Sequence, residues 1–82
     1  MTIHHLKTWP EFYEAIAVGI KTFELRKNDR GFRAGDILVL QEFVPWDKKY
    51  TGREMTKRVT YLLTGWGLEK DHVCMALGDY QR

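Results

Sequence analysis

The segment Gly19-Ile20-Lys21-Thr22-Phe23-Glu24-Leu25-Arg26 determines how the rest of the chain is interpreted, because a helical pattern ends there and an alternating pattern begins. Gly19 stands where a helix would need a left-handed terminating residue. Glu24 and Arg26 are two residues apart on the strand that follows, so both side chains point to the same face. Lys21 has the opposite parity but lies at the bend, where it could turn inward. The segment therefore predicts a glutamate held between two cations, which would fix the orientation of both.

An amphipathic helix is predicted ahead of this segment. Thr8-Trp9-Pro10-Glu11 has the form of a capping box, in which the Thr8 hydroxyl accepts a hydrogen bond from the backbone N–H of Glu11. Pro10 suits the first helical turn, where its missing N–H costs nothing. Apolar residues then recur at helical spacing for about three turns, and they are Trp9, Phe12, Tyr13, Ile16, Ala17 and Ile20.

The remaining patterns predict strands. Residues 3–7 alternate weakly, and the segment 21–27 alternates with Phe23 and Leu25 on one face. The apolar run 37–40 is typical of a central strand buried on both faces, and residues 45–52 resemble a hairpin loop. Two further strands follow, each with apolar residues of one parity: Met55, Val59, Tyr61 and Leu63 on the first, and Val73, Met75 and Leu77 on the second.

The order β-α-β-β-β-β predicts an α+β fold, a small mixed β-barrel of about five strands with one main helix after the first strand. An OB-type or an SH3-like barrel fits the same order. A chain of 82 residues without a Pro/Gly/Ser linker predicts one domain, residues 1–82. Topology of this kind does not decide function.

Composition limits the choice of partner and compartment. The net charge of +2 permits an anionic partner without requiring one. No apolar run approaches the ~20 residues of a membrane helix, and the N-terminus lacks the pattern of a signal peptide. The single cysteine, Cys74, is predicted to be a small buried residue and suits a reducing compartment. We therefore expect a cytoplasmic protein that does not bind a membrane.

Basic residues concentrate in two stretches. They are either two solvated faces or an electrostatic footprint for an anionic partner. The first stretch contains Lys21, Arg26, Lys27, Arg30 and Arg33, and the second contains Lys48, Lys49, Arg53, Lys57 and Arg58.

The spacing Gly19-x-Lys21-x-x-Glu24-x-Arg26 resembles the signature of the ASCH domains (activating signal cointegrator homology), a branch of the PUA-like β-barrels. That family is mostly described as RNA-binding, and a few members are hydrolases. Further segments resemble a short, phage-associated branch of it: residues 6–11, 23–30, 35–38 and 50–53. The resemblance covers nearly the whole chain and implies a PUA-like barrel whose motif lines a cleft between helix and barrel.

The resemblance implies a site for RNA or a nucleotide-like ligand. Lys21 and Arg26 would contact its anionic or polar groups, and Glu24 would position them or accept from a base amine. Lys7 and Trp9, just ahead of the helix, would border the same cleft. Without the resemblance, the motif is an ordinary Glu–Arg pair on a half-buried strand, worth about 1 kcal/mol or less if exposed.

A hydrolase is the enzymatic alternative. One ASCH branch hydrolyses an acylated cytidine with the motif lysine, a threonine two residues before the arginine and a downstream glutamate. Here Glu24 occupies the place of that threonine, and Glu69 and Asp71 are the only acids near the downstream position. This departure argues against the amidohydrolase activity. A metal-independent hydrolase or ribonuclease would use Lys21 as base with Glu24 orienting it, but we expect binding and assign no catalytic residue.

A second candidate surface interleaves aromatic and basic residues at Trp46, Lys48, Lys49 and Tyr50. Such a surface binds single strands by base stacking and phosphate neutralisation, or its aromatics simply pack across the hairpin. Trp66, between two glycines, is either a stacking residue or a lid over the barrel end. A third interpretation makes this a phage-type accessory protein that binds a host protein through these loops.

Metal binding and cofactors are not expected. The adjacent pair His4 and His5 would face opposite ways on a strand, and neither His72 nor Cys74 adds a spaced partner. No glycine-rich phosphate loop or nucleophile–base pattern is present.

Overall fold

The computed structural model describes residues 1–80, which form one helix and five strands. The elements in chain order are β1 (Ile3–Thr8), α1 (Pro10–Ala17), β2 (Phe23–Lys27), β3 (Ile37–Val44), β4 (Lys49–Leu63) and β5 (His72–Asp79). This order confirms the predicted small α+β fold with one helix after the first strand.

The five strands form one mixed sheet in the order β1-β3-β4-β5-β2. The β1–β3 pair is parallel, and the pairs β3–β4, β4–β5 and β5–β2 are antiparallel. The sheet curls into a half-barrel that brings its two edge strands, β1 and β2, towards each other. Arginine side chains span the remaining gap: Arg26 Nη2 donates to the Lys7 carbonyl at 2.6 Å, and Arg30 Nη1 donates to the His5 carbonyl at 2.9 Å.

The concave face of the sheet holds the core. The apolar run at the start of β3 lies in the predicted central position, between β1 and β4, with Ile37, Leu38 and Leu40 buried. Core residues come from four strands, the helix and the β2–β3 loop: Leu6, Ile16, Phe32, Leu38, Leu40, Val59, Val73 and Met75. Ile16 belongs to this core, so α1 packs against the concave face of the sheet.

The predicted capping box is wrong. Thr8 is the last residue of β1 and faces the core, where its hydroxyl points to the Leu6 carbonyl at 3.5 Å. Pro10 is the first helical residue, so Trp9 is the N-cap and no side chain caps the helix. The strand therefore extends one residue further than predicted, and burial of Thr8 outweighs its capping propensity.

The helix terminates as predicted at Gly19, whose φ is +87°. Its N–H donates to the Ile16 carbonyl at 3.1 Å, and the Ile20 N–H donates to the Ala15 carbonyl at 3.0 Å. This pair of bonds is the Schellman motif, which requires a left-handed residue after the helix. The turn directs the chain from α1 straight into β2.

The apolar stripe of the helix faces two environments. Tyr13 and Ile16 are buried against the sheet, whereas Trp9 and Phe12 are half-exposed and Ile20 is exposed. Helical periodicity shows which residues share a side of the helix. The helix has only eight residues, however, and the core contacts only part of its apolar stripe. Trp9 and Phe12 are thus available to line a pocket.

The prediction that the apolar residues of β4 all lie on one face is also wrong beyond Val59. The register with β5 shifts between Val59 and Tyr61, so Thr60 is an extra residue that forms a β-bulge. Val59 is fully buried and Leu62 packs against the core, while Tyr61 is 65% exposed. The bulge moves the inward-facing positions by one residue.

The β3–β4 hairpin is tighter than predicted. A turn occupies residues 45–48, and β4 begins at Lys49, with Tyr50 opposite Phe43. A second irregularity follows at residues 51–53, where three residues of β4 lie opposite the single residue Glu42. Gly52, at φ +93°, permits this bend.

Cys74 is half-buried on the convex face of the sheet, which corrects the predicted buried position. Its neighbours Val73 and Met75 are fully buried on the concave face, so a residue between them on a strand must face outward.

A buried histidine–carboxylate pair ties β1 to the turn before β3. His4 Nε2 lies 2.9 Å from Asp36 Oδ2, and Asp36 also accepts from the backbone N–H groups of Thr2 and Arg33. Burial alone raises the pKa of the Asp36 carboxyl, but the hydrogen bonds from His4, Thr2 and Arg33 outweigh burial and leave the pKa below 3.8.

Residues 1–80 contain no helix with the length and hydropathy needed to cross a bilayer.

Candidate functional site

A pocket of about 450 Å³ lies where the end of β1, the start of α1 and β2 meet. Its size is within the ~300–1,000 Å³ range of small-ligand sites. The lining residues come from these three elements and from the turn before β2: Lys7, Thr8, Trp9, Phe12, Lys21, Phe23, Glu24, Leu25 and Arg26. The Gly19–Arg26 segment therefore forms one wall of a concave site.

Lys21, Glu24 and Arg26 converge in this pocket. Lys21 Nζ is 2.9 Å from Glu24 Oε1, and Arg26 Nε is 2.6 Å from Glu24 Oε2. Glu24 is only 4% exposed, which excludes the interpretation as an ordinary surface pair. A buried carboxylate with a cation bonded to each oxygen fixes both cations in place.

The ammonium of Lys21 retains one donor for a ligand. It donates to the Phe23 carbonyl at 2.8 Å as well as to Glu24, and a lysine ammonium carries three N–H bonds. It also lies over two aromatic rings, 4.9 Å from the centroid of Phe23 and 5.6 Å from that of Phe12. The turn after the helix thus directs Lys21 inward despite its parity.

Arg26 contributes to both fold and site. Its guanidinium bonds Glu24 through Nε and the Lys7 carbonyl through Nη2, and among residues 1–80 its Nη1 has no hydrogen-bond partner. The planar fork thus connects the two edge strands while one donor group stays available.

The pocket has an aromatic and aliphatic wall, and Trp9 is the one member of it that was predicted to border the cleft. Trp9 and Phe12 stack with ring centroids 6.3 Å apart. Phe23 and Leu25 are about half-exposed, because β2 directs its charged residues towards the concave face and its apolar residues outward. The sequence did contain a signal for this wall. Side chains alternate between the two faces of a strand, so predicting Glu24 and Arg26 on the inner face of β2 also places Phe23 and Leu25 on its outer face.

The structure brings Lys7 and Trp9 to the pocket and places the other predicted surface next to it. Lys7 Nζ lies 4.6 Å from the centroid of Phe43 and 6.0 Å from that of Tyr50. Tyr50 packs edge-on against Phe43 at 5.1 Å, whereas Trp46 is exposed and makes no such ring contact in the described chain. The predicted packing across the hairpin thus involves Tyr50 with Phe43 and excludes Trp46. Lys48 and Lys49 are exposed beside them.

A third buried carboxylate, Glu42, lies near the helix. Glu42 accepts from the Thr51 hydroxyl at 2.7 Å and is 3.8 Å from Arg53, whose guanidinium lies 4.8 Å from the Tyr13 ring centroid. Burial raises the pKa of the Tyr13 phenol, and the charge of Arg53 partly offsets this. The bulge at residues 51–53 makes this cluster, which sequence periodicity did not predict. Its groups satisfy one another, so we assign it to the fold.

Glu69 and Asp71 lie away from the motif. They line a smaller pocket of about 300 Å³ in the β4–β5 loop, together with Asn28 and His72. Neither acid lines the pocket that contains Lys21.

Trp66, in the same loop, is 90% exposed with φ +52° between two glycines that also have positive φ. No group of three metal-ligating side chains occurs within residues 1–80.

Residues 3–77 match the profile of the domain of unknown function DUF3850. The chain belongs to this family. The DUF3850 match includes every strand and the helix, apart from the last two residues of β5.

This DUF3850 chain is also similar to a protein of Escherichia phage P2, described as an uncharacterized 12.9 kDa protein in the GpA 3′ region. The two are 36% identical over 58 residues, which are 71% of this chain and 51% of the phage protein. The chain thus spans about half the length of the curated relative it matches. The predicted resemblance to a phage-associated group is confirmed at this level.

Proposed function

We propose that this protein is a PUA-like, ASCH-type domain that binds RNA or a nucleotide-like ligand in the pocket between β1, α1 and β2. The observation that carries the proposal is the combination in one concavity of fixed cations and half-exposed aromatic rings. Three cations, Lys7, Lys21 and Arg26, accompany the single carboxylate Glu24, so the pocket has an excess of positive charge.

The chemistry of the walls suits the parts of a nucleotide. Lys21 and Arg26 retain N–H donors for a phosphate oxygen or a base carbonyl, and they are held by Glu24 before the ligand arrives. Trp9, Phe12 and Phe23 offer apolar ring surface for a base. Glu24 has lone pairs beyond those used by its two cations, so it can accept from a base amine.

Geometry favours binding over catalysis. Lys21 donates hydrogen bonds to the Glu24 carboxylate and to the Phe23 carbonyl, so in this arrangement it serves as a donor that holds acceptor groups. Thr8 is the only hydroxyl side chain among the lining residues, and its side chain is buried and directed to the Leu6 carbonyl. A hydrolase would therefore have to take its nucleophile from water or from the ligand itself.

The test compares two lysines of β2 and its preceding turn. Lys21→Met keeps most of the aliphatic stem but removes one of the three positive charges of the pocket. Lys27→Met removes an exposed charge that does not line the pocket. Calorimetric titration with nucleoside monophosphates should show roughly 10- to 150-fold weaker binding for Lys21→Met, because a hydrogen bond to a charged group contributes about 1.5–3 kcal/mol. Lys27→Met should bind as the wild type does.

Two results would reject the proposal: no nucleotide or single-stranded RNA binds at millimolar concentration, or both lysine variants bind equally well. Melting curves of each variant show whether it is folded before its affinity is compared. The same samples, incubated with RNA and with acylated nucleosides and analysed by chromatography, test the hydrolase alternative. A product that forms with wild type but not with Lys21→Met would establish catalysis.

A further inference from the structure

The pocket and the β3–β4 hairpin form one continuous surface, which Lys7 joins. Lys7 lines the pocket, and its ammonium lies over the ring of Phe43 and near that of Tyr50. We propose that this surface is a track for single-stranded nucleic acid, in which the pocket holds one nucleotide and the hairpin binds the nucleotides beside it. This inference rests on the proposed function of the pocket and extends the ligand from a nucleotide to a strand.

The hairpin presents aromatic surface that is already ordered. Tyr50 is half-exposed, and its edge-on contact with Phe43 at an interplanar angle of 67° fixes the orientation of its ring. Trp46 is 75% exposed in the turn at the tip of the hairpin. Bases stack on such rings with little dependence on sequence, since every base has a π face.

Outside the Lys21–Glu24–Arg26 group, the lysines along the track make no ion pair within the described residues. Within residues 1–80, no carboxylate lies within salt-bridge distance of Lys7, Lys48 or Lys49, whereas Lys57 and Arg53 on the same hairpin have acidic partners. The three unpaired lysines outnumber the one acid in the turn, Asp47. A strand with a phosphate at each nucleotide matches this arrangement, because each unpaired lysine can displace a counterion from the backbone.

The alternation of rings and charges favours a nucleic acid over a protein partner. Protein interfaces concentrate apolar residues at their centre and are depleted of lysine there. Along this track, by contrast, lysines stand beside each exposed ring, with Lys7 near Tyr50 and Lys48 and Lys49 between Trp46 and Tyr50.

A length series tests the track. A nucleoside monophosphate and oligonucleotides of two, four and eight residues, in RNA and in DNA form, are titrated into wild type, Trp46→Ala and Tyr50→Ala. Trp66→Ala is the matched control, because Trp66 is an exposed tryptophan of the β4–β5 loop and belongs to neither the pocket nor the hairpin. We expect affinity to rise with length in RNA, in DNA or in both. Each hairpin variant should lose roughly 5- to 150-fold for the octamer and nothing for the monophosphate.

The outcomes separate this inference from the function on which it rests. If the octamer binds no more tightly than the monophosphate, or binds Trp46→Ala and Tyr50→Ala as it binds wild type, the track is wrong and the pocket proposal stands. The Lys21→Met variant is titrated with the octamer as well. If the octamer binds Lys21→Met as it binds wild type but binds Trp46→Ala more weakly, the pocket is not a nucleotide site and the continuous track is wrong too. If no probe binds, both are wrong. Trp46→Ala keeps the test valid even if Tyr50→Ala disturbs the hairpin.

Discussion

Replacing Arg26 should cost this domain a large part of its stability, because one guanidinium connects the two edges of the half-barrel. Arg26→Met keeps the aliphatic stem but removes the bond from Nε to Glu24 at 2.6 Å and the bond from Nη2 to the Lys7 carbonyl at 2.6 Å. It also leaves the nearly buried Glu24 with Lys21 as its remaining cation.

The size of the effect follows from these contacts. Hydrogen bonds to charged groups contribute about 1.5–3 kcal/mol each, and solvent at the partly exposed guanidinium reduces the sum. We expect the free energy of unfolding to fall by about 2–4 kcal/mol. A domain of this length has a total of only about 4–12 kcal/mol. The melting temperature should therefore fall by at least about 8 °C.

Urea unfolding followed by circular dichroism measures this loss, with Arg30→Met as the matched control. Arg30 also spans the gap, but it makes one exposed bond to the His5 carbonyl, so its removal should cost less than about 1 kcal/mol. Arg26→Lys should be intermediate, since a lysine keeps the charge but cannot bond both acceptors as the fork does. If Arg26→Met costs no more than Arg30→Met, the closure of the half-barrel does not depend on this guanidinium.

Three further predictions concern the fold around the site. The pKa of Asp36 in the folded protein lies below 3.8, so its stabilising contribution should be complete above about pH 5 and lost as the pH falls below 3.8. Urea midpoints measured from pH 6 to pH 2 should show that loss. The Asp36→Asn variant should be less stable at pH 6, and its stability should depend less on pH. Gly19→Ala should cost about 1 kcal/mol by thermal melting because φ there is +87°, whereas Gly19→Asn should cost less; equal costs would contradict the left-handed cap. Leu62→Ala should destabilise by about 1–3 kcal/mol and Tyr61→Ser by less than about 0.5 kcal/mol, since the bulge turns Leu62 to the core; the reverse order in chemical denaturation would contradict the shifted register.

Features governed by a few neighbouring residues were predictable from the sequence. The helix ends at Gly19 because a Schellman turn needs a left-handed residue, and glycine adopts that conformation at little cost. The order of the helix and strands along the chain follows from their periodicity, and the central position of β3 follows from its continuous apolar run. The order of the strands within the sheet was not predicted. The convergence of Glu24 with Lys21 and Arg26 was likewise predictable from parity and from the bend.

Which face of an element points inward depended on contacts between distant segments. Periodicity groups Trp9 and Phe12 with Ile16, but only the curvature of the sheet determines that Ile16 is buried while the other two line a pocket. Thr60 interrupts the parity of β4 because β5 pairs with it out of step, and such a mismatch has no local signature in the chain. On β2 the charged face lies inside while Phe23 and Leu25 stay about half-exposed. The contact between distant segments here is the bond from Arg26 to the Lys7 carbonyl of β1, and spacing along the chain does not show it.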